Sequence, residues 1–117
     1  MAKSIETSEN GKREYLQSHY YRTTADKLME EIPHVLERMN CKVLAVNTDY
    51  NEITAYNDNY DITVKVVMTE INKTSVDVFI NSRFLFDFGK TKQIILEVFN
   101  FISREFEFLG TSLNRSK

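Results

Sequence analysis

The sequence has one cysteine, no tryptophan, and no run of basic residues longer than Lys12-Arg13. No stretch approaches the ~18 consecutive apolar residues of a membrane span. Each shortage excludes something. A lone thiol, Cys41, cannot close an internal disulfide, which points to a reducing compartment. Scattered Lys and Arg with a formal net charge of −2 argue against nucleic acid, whose binders carry a basic stripe or excess. The opening "MAKSIETSENGKREY" is polar and lacks the apolar core of a signal peptide. The expectation is a soluble, cytoplasmic protein with no membrane partner.

What is present is enough for one domain. The 117 residues can bury a single core without disulfide or metal. Residues 1–13 and 110–117 are polar and read as mobile tails, which leaves a domain at 14–109. Within it, "EYLQSHYYRTT" (14–24) is rich in β-formers and reads as a first strand. "TADKLMEEIPHVLERMN" (24–40) places Leu28, Ile32, Val35, Leu36 and Met39 on one helical face, with Thr23 or Thr24 as cap. Pro33 interrupts this pattern. Because the apolar face continues across it, a single kinked helix is expected rather than two pieces.

From Lys42 the period changes to two. "KVLAVNT", "EITAYN", "YDITVKVVMTE" and "SVDVFINSRFLF" are strand-like, and the Asn- and Asp-containing turns between them are too short for anything but antiparallel neighbours. A helix is expected over Lys90–Phe108. The order β-α-β-β-β-β-α then predicts an α+β two-layer sandwich, an antiparallel sheet with two helices packed on one face.

Gly89-Lys90-Thr91 has the last letters of a phosphate-binding loop. The glycine that such a loop needs five positions earlier is Phe84, and the residues between are bulky. Gly89 reads instead as a hinge between strand and helix, with Asp87 or Thr91 capping the helix. His19 and His34 have no metal-ligand spacing with each other or with Cys41 and read as surface or edge residues. Cys41, at a helix C-terminus, reads as a small filler. Asp49, Glu52, Asp58 and Asp61 do not fit a calcium loop and read as solvated turn residues. Tyr15, Tyr20, Tyr21, Tyr56 and Tyr60 could stack bases, but Glu52, Asp58 and Asp61 beside them repel phosphate, so partial burial at sheet edges is expected.

The last helix carries an apolar arc wider than one sheet face covers, and Glu105 falls inside that arc. Phe101, Glu105 and Phe108, with Tyr20 and Tyr56, are therefore the expected interaction or pocket residues. No catalytic residue, cofactor or metal ligand is identified. The sequence points to a non-enzymatic interaction or regulatory domain with a protein partner, either a second copy in a homodimer or another chain. The alternative is a small apolar ligand held between the sheet and the C-terminal helix.

Overall fold

The computed structural model describes residues 3–112. Its elements are β1 (Lys3–Glu6), a single 3-10 turn at Glu14–Leu16, β2 (His19–Tyr21), α1 (Ala25–Arg38), β3 (Lys42–Asn47), β4 (Glu52–Tyr56), β5 (Tyr60–Glu70), β6 (Lys73–Ser82), α2 (Lys90–Glu105) and β7 (Phe108–Thr111). Seven strands form one antiparallel sheet in the order β3-β4-β5-β6-β2-β7, with β1 also paired to β6. The fold is an α+β sandwich.

The meander β3–β6 follows from the period-two pattern. Along β5, Tyr60, Ile62, Val64 and Val66 are buried while Asp61 and Lys65 are exposed. The same alternation in β6 buries Val76, Val78 and Ile80, and the register sets Ile62 opposite Ile80 and Val64 opposite Val78. Each fully buried aliphatic side chain of this kind contributes roughly 1.5–3 kcal/mol of transfer free energy. Asn residues make the turns. Asn40, Asn51 and Asn72 take φ of 61°, 52° and 56°, a left-handed region that Asn enters at little cost. Asn57 Oδ1 accepts from the backbone N–H of Asn59 and Tyr60, which closes the β4–β5 turn.

α1 is one uninterrupted helix through Pro33, capped by Thr24, whose hydroxyl accepts from the Lys27 N–H. Leu28, Ile32, Val35 and Leu36 face the β3–β5 half of the sheet. α2 buries Ile95, Val98, Phe99 and Ile102 in the same core.

Three expectations are corrected. Residues 3–6, read as part of a mobile tail, form β1: Lys3–Glu6 pair with Ser82–Phe79, and Ile5 lies opposite Ile80. The strand expected over 14–24 is only three residues long, His19–Tyr21, paired with Val76–Thr74 farther along the same edge of β6. The helix expected to reach Phe108 ends at Glu105, and residues 108–111 form β7 against β2. The expected C-terminal tail therefore begins inside a strand, and its last residues, 113–117, lie outside the described residues.

β1 and β2 thus lie end to end along β6, with residues 8–18 as an excursion between them. Its neck is closed by the Ser8 N–H to the Leu16 carbonyl (2.9 Å) and the Ser18 N–H to the Ser8 carbonyl (3.0 Å). Asp77, midway along β6, accepts from the hydroxyls of Thr7 (2.6 Å) and Ser18 (2.7 Å), one on each side of the neck. Gly11 is needed here, since a Cβ would stand 2.1 Å from the Leu16 carbonyl oxygen. The excursion carries the 3-10 turn to the flank of α2.

Candidate functional site

Two places stand out. The first is the loop between β6 and α2. Leu85, Phe86 and Phe88 are exposed by 79%, 64% and 84%, three large apolar side chains within four residues. Among the described residues, the other strongly exposed apolar side chains, Leu44, Tyr50 and Ile71, are spread over the edge strand β3 and two hairpin turns.

The loop is anchored at both ends. Arg83 pairs with Asp61 (3.1 Å), and its guanidinium also donates to the carbonyls of Asn57 and Asp58. At the other end the Asp87 carboxylate accepts from the Thr91 N–H (3.1 Å) and the Thr91 hydroxyl (2.6 Å), which supplies the helix cap that Gly89 lacks. Gly89 has φ of +80°, as expected of a hinge, and Phe88 just before it has φ of +50°. A bulky residue with positive φ is a strained one. The run "FLF" at 84–86 reads as the end of a strand in the sequence. The exposure of Leu85 and Phe86 becomes visible only once β6 is seen to stop at Ser82, while Phe84 stays half-buried against the core.

The second place is a groove of about 570 Å³ between the 3-10 turn, α2, β2 and β7. His19 lies at its floor, only 8% exposed, which corrects the reading of this residue as a surface or edge histidine. Central position explains the burial: β2 is flanked by β6 and β7, and His19 lies opposite Val76 on the helix-facing side. Its ring stacks on Phe99, with centroids 3.5 Å apart and planes within 7°, and Phe108 lies 5.3 Å away. The Nδ1–H donates to the Gln17 carbonyl (2.8 Å), which fixes the tautomer and leaves Nε2 as an acceptor.

Among the described residues, the sealed polar atoms without a partner are Gln17 Oε1, Glu31 Oε2, Ser82 Oγ and Thr111 Oγ1. Nε2 of His19 is not among them, and no described group bonds it, so it meets the solvent of the groove. Burial lowers the His19 pKa below 6.5, against upward pulls from the Gln17 carbonyl, Glu14 and Asp77. The ring is therefore neutral near pH 7.

Leu96, Phe99 and Phe108 make the apolar wall, and Asn100 and Ser103 add polar groups from α2. Ser103 is engaged with the Tyr21 hydroxyl (3.0 Å), which in turn donates to the Phe99 carbonyl (3.2 Å). The Tyr21 phenol is pushed up to about 12 by burial, so it stays a donor. At the rim, Lys92 Nζ rests over the Tyr15 ring at 5.0 Å.

The residues singled out from the sequence are not brought together. Phe108 lines the groove and touches the His19 and Tyr21 rings. Phe101 is on another side of α2, between the guanidinium groups of Arg38 and Arg104 at 6.0 and 4.8 Å. Glu105 is exposed at the end of α2. Tyr20 is buried on the sheet face opposite the helices, its hydroxyl donating to Glu9 (3.0 Å). Tyr56 is on β4, opposite Asp61. Tyr20, Tyr21 and Tyr60 are buried in the body of the sheet rather than partly buried at its edges. His34 is exposed on α1 beside Glu37 (3.7 Å). Glu52 and Asp61 form ion pairs with Lys65 and Arg83.

Among the described residues there is no group of three or more His, Cys, Asp or Glu able to hold a metal, and no helix long and apolar enough to cross a membrane. No protein-family model matches the sequence, and no curated protein matches it.

Proposed function

We propose that the protein is a non-enzymatic interaction domain that docks on a protein partner through Leu85, Phe86 and Phe88. The observation that carries this reading is the anchored presentation of three exposed apolar side chains on one short loop. Exposed apolar groups concentrated in one place mark interaction sites, and aromatic anchors dominate binding energy. The Arg83 and Asp87 anchors hold the backbone before a partner arrives, which lowers the ordering cost of association. Charge favours a protein over an anionic lipid surface. Asp58, Asp61 and Asp87 accompany the basic residues around the loop, and the chain carries a net charge of −2.

A non-enzymatic role is supported by the state of Cys41, whose thiol burial pushes up, away from the reactive thiolate. The partner is this chain or another protein. A photo-crosslinking phenylalanine analogue in place of Phe88, in the living host, is expected to trap a discrete protein adduct that disappears when Leu85 and Phe86 become Ser. Sedimentation equilibrium of the purified chain tells self-association from a foreign partner. Failure of any adduct to form at position 88, with a monomer at all concentrations, would reject the reading.

A further inference from the structure

We propose that the groove floored by His19 binds a small planar aromatic acid, one whose ring carries an N–H or O–H donor and whose side group is anionic. This site is separate from the docking loop and does not depend on it.

The first argument is the state of His19. A polar side chain more than nine-tenths buried normally has its groups paired. Here the Nδ1–H is paired within the protein, while Nε2 has no protein partner and opens onto the groove, where an occupant can reach it. No described donor reaches Nε2, so an occupant of the groove can supply one.

The second argument is the polarity of what is offered. With the Tyr21 phenol donating to the Phe99 carbonyl, the Ser103 hydroxyl donates to Tyr21 and keeps lone pairs free. Nε2 and Ser103 Oγ are both acceptors, so the occupant must bring the donor. Leu96, Phe99 and Phe108 supply apolar wall to a flat ring, whose edge and face they can contact.

The third argument is charge. Arg13 and Lys92 line the same groove, and neither is paired with a carboxylate among the described residues. They outnumber Glu14, the one acid among the described residues of the lining. An anionic group therefore matches the rim. The volume, about 570 Å³, falls within the range of small-ligand pockets.

The test uses three matched probes against the full, isotopically labelled chain by amide chemical shifts. Indole-3-acetate has ring donor and acid; 1-methylindole-3-acetate lacks the donor; 3-methylindole lacks the acid. Expected are saturable shifts in residues 13–19, 92–103 and 108–111, with indole-3-acetate bound about 10-fold more tightly than either analogue. His19→Phe keeps the stacking surface and removes the acceptor, so it should abolish the preference over the N-methyl compound only. Lys92→Met with Arg13→Met should abolish the preference over 3-methylindole only. The wild-type comparison stands even if the His19 variant fails to fold. Absence of saturable groove shifts up to ~3 mM, the affinity range of ligands this small, would overturn the proposal, as would equal binding of all three probes.

Discussion

His19 lies flat on Phe99, with ring centroids 3.5 Å apart and planes within 7° of parallel. The contact joins β2 to α2 and places a titratable ring in the core. Protonation would put a charge into that stack, so the folded state holds the ring neutral to lower pH than the unfolded chain does.

A pH dependence follows, and its sign is determined. The folded-state pKa of His19 is depressed below 6.5, so in the window from 6.5 down to that value the unfolded state binds more protons. Stability therefore rises with pH across the window and is lost as pH falls through it. The Gln17 carbonyl, Glu14 and Asp77 oppose the depression, and the positive charge of Arg13 and Lys92 at the rim acts in its direction. Urea midpoints measured at about pH 7 and pH 5.5 should show the wild type losing more stability than His19→Phe. Equal losses in the two proteins would mean that His19 titrates as it does in the unfolded chain.

Asp77 clamps the neck of the 8–18 excursion through Thr7 and Ser18, whose side chains are both buried. Asp77→Ala leaves two buried hydroxyls without their acceptor, at a cost of about 2–4 kcal/mol in total. Asp77→Asn retains a carbonyl acceptor and should cost less. Amide exchange at Ser8 and Ser18 should accelerate more than at Val64 or Val98, because the excursion opens before the core does. Uniform acceleration would show that Asp77 holds the whole sheet and not the neck.

The meander, α1 and most of α2 are legible in the sequence because burial alternates at two residues in β5 and β6 and at helical spacing in Leu28, Ile32, Val35 and Leu36. β1 is not, since "KSIE" offers one apolar residue, Ile5, and its pairing partner lies more than seventy residues away. The end of α2 is misread for a local reason. Phe106 and Phe108 continue an apolar pattern, but Phe106 already has extended φ and ψ of −133° and 145°. His19 is hidden because its burial depends on β7, whereas in the sequence Phe108 and Leu109 read as the end of the helix and Gly110 and Thr111 as the start of a tail. The groove thus rests on non-local pairing, which a pattern of neighbours cannot reveal, and the exposure of the 85–88 loop rests on where β6 stops.

Cys41 should be inert in the native state. It is buried, its thiol donates to the Tyr60 hydroxyl at 3.4 Å, and burial pushes its pKa up, further helped by Glu97. The thiolate that attacks a disulfide reagent is thus scarce as well as covered. Labelling with an aromatic disulfide at neutral pH should proceed only through opening of the chain and speed up with sub-denaturing urea. Fast labelling of the fully folded protein would contradict the packing of Cys41 against Tyr60.

Phe88 combines a left-handed backbone, φ of +50°, with 84% exposure of its side chain. The left-handed conformation costs a bulky L-residue roughly 1–2 kcal/mol, and an exposed ring recovers little of that by packing in the isolated chain. Asn tolerates this conformation, so Phe88→Asn should raise stability by about 0.5–1 kcal/mol. Leu85→Ser and Phe86→Ser, whose residues show no positive φ, should stay within about 0.5 kcal/mol of wild type. If the loop is the docking element, the same Phe88→Asn change that strengthens the fold should weaken adduct formation by a crosslinker placed at position 85. That pairing of opposite signs is the signature of a strained residue kept for binding, and a variant that loses stability while docking normally would reverse the assignment.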